Sequence, residues 1–275
     1  MTAETTPRPA RSAGRLGVRV VALGYLAVLL LVPIGIVLYR TFEPGAGAVW
    51  ASITTPAAIH AFWLTIEITA IAVPLNTAFG IVAALVLVRS RVRGKRLLEA
   101  LIDLPFAISP VVIGLALVLL YGRQGWLGPT LTGAGIQIIF SLPGMVLATI
   151  FVCLPFVVRE VTPVLREIGD EQEQAAATLG ASRRQTFWRI TLPAIRWGVA
   201  YGVVLSTARA IGEFGAVSVV SGKIAGETIT LPLLVENRFS NFDLAGAYAA
   251  SALMAVLALA TLLAMTLLQR RGDAR

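Results

Sequence analysis

The sequence predicts an all-α membrane protein with six transmembrane helices, and three observations carry that prediction. Hydrophobic residues make up 57% of the 275-residue chain and charged residues only 14%, with a mean hydropathy of +0.81, far from the composition of a water-soluble domain. Six apolar stretches reach the roughly 20 residues that a helix rising about 1.5 Å per residue needs to cross a hydrocarbon core about 30 Å thick. The basic residues crowd into alternate connections between those stretches, as they do in multi-pass proteins.

Taken in order, residues 1–17 are polar, contain proline and lack periodicity, and they predict a disordered cytoplasmic tail; residues 18–275 predict one transmembrane domain. The first span, 20–39, is too long for a cleaved leader, contains Pro33 and has no small-residue cleavage site before Arg40. The second, 62–88, is long enough to tilt or to leave the bilayer, and Pro74 predicts a kink. The third, 98–121, carries Ser109 and Pro110, a helix-breaking pair at membrane depth. The fourth, 138–158, contains the sole cysteine, Cys153, expected as a small buried hydrophobe. The fifth, 198–220, holds Arg209 and Glu213, four apart and so on one helical face. The sixth is 244–268.

The net charge of +8 belongs to topology rather than to nucleic acid. Of the 23 Lys and Arg residues, 18 fall in the two termini and in the connections after the second and fourth spans, four fall in the other connections, and Arg209 lies inside a span. The positive-inside rule therefore puts both termini in the cytoplasm. It puts the long connection 159–196 there as well, and that connection has a helical pattern of its own. Asp170, Glu171 and Glu173 start a run of helix formers where the helix dipole favours acids, Gly180 reads as the C-terminal stop, and Ser182 as the N-cap of a second short helix ending before Pro193. Phe187 and Ile190 share a face of that second piece, away from Arg183, Arg184 and Arg189. An amphipathic hairpin lying on lipid is the rival reading, but anionic lipid would repel the acids between Glu167 and Glu173.

Catalytic chemistry has little to stand on. His60 has no second His or Cys at ligand spacing, so no metal site is assigned. Neither GxxxxGK[ST] nor GxSxG occurs, and acids and nucleophiles are too scattered for an intramembrane hydrolase.

The residues Gln174, Ala175, Ala176, Gly180, Ile190, Leu192 and Pro193 follow the pattern EAA, three residues, G, nine residues, I, one residue, LP, with Gln174 in place of Glu and Glu173 beside it. This pattern resembles the cytoplasmic signature loop of the membrane subunits of bacterial ATP-binding-cassette importers. The stretches DLPFAISPVVIGLAL from Asp103, FSLPGMVLATIFVCLPFVVRE from Phe140 and ARAIGEFGAVSVVSG from Ala208 extend the resemblance to the sulfate/thiosulfate permeases, W-type, with molybdate and tungstate permeases as near relatives.

The resemblance implies a binding-protein-dependent permease fold of the type I importer kind, with a five-helix core and a cytoplasmic coupling helix. It implies an ATPase-coupling loop made of Glu173, Gln174, Ala175, Ala176, Leu179, Gly180, Ala181, Ile190, Leu192 and Pro193. It also implies a second homologous permease, a cytoplasmic ATPase dimer that uses ATP and Mg, a periplasmic sulfate-binding protein, and location in the inner membrane. This chain is then non-catalytic and binds no cofactor itself. An ion-coupled secondary transporter is the distant alternative, which needs no ATPase.

For an anion path the sequence offers Arg209, Glu213, Ser206, Thr207, Ser109 and Asn76. A charge at the bilayer centre costs about 2.5–3.5 kcal/mol on insertion scales, so neither Arg209 nor Glu213 is expected to face lipid. Either the pair fixes helix packing, or Arg209 offers a positive point to a passing anion with Ser206 and Thr207 donating hydrogen bonds. Asp103 and Glu67 are expected as solvated or snorkelling acids near the two interfaces.

Overall fold

A computed structural model of the chain describes residues 13–273, and the elements among them are all helical. Residues 1–12 of the expected tail lie outside the described residues. Helix α1 (Ala13–Phe42) is followed by a short α2 (Ala46–Ile53) and by α3 (Pro56–Arg89), the longest helix. At about 1.5 Å per residue, its 34 residues run about 51 Å, beyond the hydrocarbon core at one or both ends. Thr55 starts it by accepting the Ala58 N–H on its hydroxyl, with Pro56 in the first turn where no N–H is missed. The helix continues through Pro74 without a break.

The third expected span is two helices. α4 (Lys95–Ala107) and α5 (Pro110–Tyr121) meet at 109°. Pro110 disfavours helical geometry at the residue before it, and Ser109 is extended at φ −59, ψ 133. After the small α6 (Gly128–Gly133), α7 (Leu142–Glu167) runs nine residues past the expected end at 158. The fifth expected span is also divided, into α10 (Leu192–Ile211) and α11 (Gly215–Val220). α12 (Leu231–Ser240) and α13 (Leu244–Asp273) complete the chain.

Among the described residues, four helices are long and apolar enough to cross a membrane, and five if the bent α4–α5 pair counts as one span. The expected six is not reached on that criterion. α10 falls short because Arg196 and Arg209 sit near its two ends, and the α4–α5 pair because its break removes a straight run of 18 residues.

The centre of the bundle is α7, packed between α3 and α10. Two stripes of small residues make this possible. Ala72, Asn76, Gly80 and Ala84 on α3, and Gly198, Gly202, Ser206 and Ala210 on α10, recur every fourth residue and are all buried. Between helices in lipid there is little hydrophobic drive, so association comes from close van der Waals approach and hydrogen bonds, which small residues permit. The approach is very tight at Val157 of α7. A Cβ on Gly80 would lie 2.6 Å from the Val157 Cβ, and one on Gly202 only 2.8 Å from its Cα.

The two divided segments, α4–α5 and α10–α11, also lean on each other. A Cβ on Gly114 of α5 would meet the Ala216 carbonyl of α11 at 2.8 Å, and one on Gly215 would meet the Pro110 Cβ at 2.8 Å. The two breaks are therefore neighbours.

The outward surface suits lipid. α1 exposes Val20, Leu23, Leu30 and Ile34, and touches the bundle through α2 and α13. Trp50, Trp63 and Trp126 on one end of the molecule and Trp188 on the other are largely exposed, which fits aromatic belts at two interfaces.

Candidate functional site

The arginine-rich end of the bundle is built from the chain between α7 and α10. After Glu167 the chain turns at Gly169, whose φ of +62 is open to glycine, and enters α8 (Glu171–Thr178) with Glu171 and Glu173 in its first turn. α8 ends as the sequence predicts. Gly180 takes φ +85, its N–H donates to the Ala177 carbonyl at 3.0 Å, and the Ala181 N–H donates to the Ala176 carbonyl at 3.0 Å. This is the double bond of a Schellman end, which needs a left-handed residue at the position of Gly180.

Ser182 then caps α9 (Arg183–Thr186) in a reciprocal box with Gln185: the Gln185 N–H donates to the Ser182 hydroxyl at 3.3 Å and the Ser182 N–H to Gln185 Oε1 at 2.8 Å. The expected stop before Pro193 does not occur. A π turn (Phe187–Thr191) carries the chain directly into α10, with the Leu192 N–H donating to the Phe187 carbonyl five residues back. A proline ring crowds the carbonyl four residues earlier, here Arg189, and the wider turn gives it room. The loop is thus one free helix, α8, standing beside a second piece that is the root of α10.

Among the coupling residues two groups separate. Gln174, Ala175 and Gly180 are exposed, and Leu179 projects with 88% of its surface free. Ala176 and Ala181 are half-buried behind them, Ile190 and Leu192 are half-buried and Pro193 exposed at the root of α10. Glu173 turns inward. It accepts from Arg89 Nε at 3.0 Å and from the Thr191 hydroxyl at 2.9 Å. Arg89 and Thr191 carry no local sequence signal for this role, because their partner is distant in the chain. Two exposed ion pairs at the same end, Asp103 with Arg159 and Glu99 with Arg166, both at 2.9 Å, tie α4 to α7.

The candidate path residues also divide. Asn76 and Ser206 are fully buried in the small-residue stripes; Asn76 donates to the Ile150 carbonyl at 3.1 Å and faces helix packing. Thr207 donates to its own helix at the Val203 carbonyl. Glu213, 2% exposed, lies in the gap between α10 and α11 and accepts the Ala216 N–H at 2.8 Å, holding the start of α11. Arg209 Nη2 lies 2.8 Å from Glu213 Oε2; that oxygen has no aligned hydrogen bond, so the contact is electrostatic. Thr65, Thr149 and Thr230 surround the same carboxylate. Arg209 itself is partly open, its side chain 35% exposed, and Ser109 and Phe214 at the two breaks are exposed as well. Beside Phe214 runs a groove of about 570 Å³ lined by Gly212, Pro232, Phe239 and Tyr248. So the structure assigns Asn76, Ser206 and Glu213 to the interior and leaves Arg209, Ser109 and Phe214 on the surface.

Among the described residues, a bundle with four or five helices apolar enough to cross a membrane, and a loop helix at its basic end, has the architecture of an integral membrane protein. The chain belongs to the family of binding-protein-dependent transport system inner membrane components, whose model matches residues 76–273. It is 52% identical, over 91% of its length and 91% of the relative's, to the sulfate transport system permease protein CysW of Synechocystis, and 49% identical to that of Escherichia coli over 89% of this chain and 84% of the relative. The CysT sulfate permease of Synechococcus elongatus is 39% identical over 89% of this chain and 88% of that one. In fold it matches a chain in the crystal structure of a bacterial importer of the polysaccharide alginate, with a TM-score of 0.77, 19% identity, and coverage of 93% and 94% of the two chains.

Proposed function

We propose that this chain is one of two permease subunits of an ATP-driven bacterial importer of sulfate and thiosulfate. The observation that carries the reading is the identity of about half the residues, across nearly the whole chain, to the sulfate permeases above. Because CysT-type permeases align as well, the second permease is a homologue of this chain, and the pair meets along the face bearing Arg209, Ser109 and Phe214. An arginine on a membrane-spanning helix cannot face hydrocarbon cheaply. A second protein chain or a polar path between the two chains would cover Arg209.

ATP hydrolysis belongs to a cytoplasmic ATPase dimer that grips the tip of α8, with Leu179 as an apolar knob and Gly180 giving close backbone approach. A periplasmic binding protein selects the anion and delivers it. With the loop and both termini cytoplasmic, ATP-driven closure of the ATPases moves α8, and the spans rock to open the path outward. Little binding is wanted along the path itself, since a tight anion site would hold what should be released.

The test is ATPase activity of the whole complex in lipid, with the binding protein loaded in turn with sulfate, thiosulfate and molybdate. Stimulation by sulfate and thiosulfate is expected. Stimulation by molybdate alone would replace the substrate with that of the near relatives and keep the class.

A further inference from the structure

α8 is hung between two glycine joints, Gly169 at φ +62 and Gly180 at φ +85. Through such joints a short helix can swivel, and a pull on its tip need not reach the spans. The helix lies against α9 and the π turn, and the side chain that bonds it to the long helices is Glu173. That carboxylate takes Arg89 Nε at 3.0 Å and Nη2 at 3.4 Å on its two oxygens, and the Thr191 hydroxyl at 2.9 Å.

Arg89 is the last residue of α3. Its remaining donors go to the carbonyls of Leu165, at 3.0 Å, and Gly169. Leu165 lies in the last turn of α7 and Gly169 just beyond its end, where the helix leaves acceptors free and its dipole favours a cation. Glu173 stands in the first turn of α8, where the dipole favours an anion. Thr191, 4% exposed, is the last residue before α10. One ion pair, about one-fifth exposed on each side, thus ties the ends of α3 and α7 and the root of α10 to the helix that stands free. Those three long helices are also the ones locked around Val157.

We propose that Arg89 and Glu173 are a positioning pair for transport: a strut that makes displacement of α8 a displacement of α3, α7 and α10 together. The proposal rests on the reading of α8 as the ATPase-facing helix, and it removes Glu173 from the docking surface. The outward face then consists of Gln174, Ala175, Leu179 and Gly180, and the charge needed at Glu173 is spent inside the chain.

The experiment uses the complete importer in proteoliposomes, with radiolabelled sulfate as the probe. It records the ATPase retained on purification, thermal stability, and sulfate transported per ATP hydrolysed. For Glu173→Gln, ATPase retention stays at wild-type level and the melting midpoint falls by only a few degrees, since the amide still accepts one hydrogen bond, while sulfate per ATP falls by roughly tenfold, the order of a coupling between directly contacting groups. Thr191→Val keeps the charge pair and removes one hydrogen bond, so the ratio falls by only about threefold. Arg89→Lys combined with Glu173→Gln is no worse than the poorer single variant, because both break one linkage.

A wild-type ratio in Glu173→Gln overturns the proposal, as does loss of stability with the ratio unchanged, which marks a merely structural bond. Loss of the ATPase from the Glu173→Gln complex makes the carboxylate a docking contact instead. Gly180→Asp tests the underlying reading separately: it should shed the ATPase, and full retention there would remove α8 from the docking surface and the strut's role with it.

Discussion

Gly202→Ala should loosen the bundle by an amount that follows from one distance. The added Cβ would lie 2.8 Å from the Val157 Cα and 3.3 Å from its Cβ. The nearer atom is backbone, so no rotamer change relieves the clash, and α10 must withdraw from α7 by about 0.6 Å to restore ordinary contact. Inserting a methyl into a packed interior costs about 1–3 kcal/mol. Spread over a chain of this size, about 2 kcal/mol lowers the unfolding midpoint by roughly 4–8 °C. The assay is thermal unfolding of the purified chain in detergent, followed by tryptophan fluorescence. Gly35→Ala is the control: a Cβ there meets nothing within 4 Å, and alanine is the better helix former by about 1 kcal/mol. The pair isolates packing from propensity. If Gly202→Ala melts with the wild type or above it, the close approach of α7 and α10 is not what holds the bundle.

Further outcomes follow from the buried polar groups and from the charge pattern. Removing the cation in Arg209→Ala leaves Glu213 buried without compensation and should cost about 2 kcal/mol or more, under the roughly 3–5 kcal/mol of a fully buried pair because Arg209 is partly open. Adding Glu213→Gln to that variant should recover most of the loss in the same melting assay, and additive losses would refute the pairing. For topology, the variants Arg123→Cys and Arg184→Cys, each made in a Cys153→Ala background, should divide in spheroplasts. A membrane-impermeant maleimide should label the first directly and the second only after lysis, and the reverse pattern would invert the chain. Arg238, 9% exposed, donates to the Gly246 and Ser52 carbonyls and the Thr55 hydroxyl. Arg238→Met should therefore free the α2–α3 corner from α13 and raise hydrogen exchange there, with unchanged exchange counting against that anchoring.

What could be read from the sequence was local. Gly180 as a helix end and Ser182 as a cap rest on backbone demands within a few residues, and both stand as expected. The break at Ser109–Pro110 was visible as a disturbance, yet its 109° bend was not, because the angle is set by α5 lying against α11 through Gly114 and Gly215. Apolar periodicity is blind inside a bundle in which almost every face is apolar. The four-residue spacing of Gly198, Gly202, Ser206 and Ala210 was the usable signal for the α10 interface, and it also accounts for the burial of Ser206. The role of Glu173 could not be read locally, since its partner Arg89 is 84 residues away.

If the tip of α8 is the surface an ATPase covers, the chain offers a direct probe of it. Its one natural cysteine, Cys153, is fully buried, so Leu179→Cys places the reactive thiol at the most exposed apolar position of the loop. Maleimide labelling of this variant, measured with and without the ATPase subunits, should be rapid on the free permease and strongly suppressed in the complex. Equal labelling in both, with the ATPase demonstrably bound, would contradict the assignment of α8 as the coupling helix.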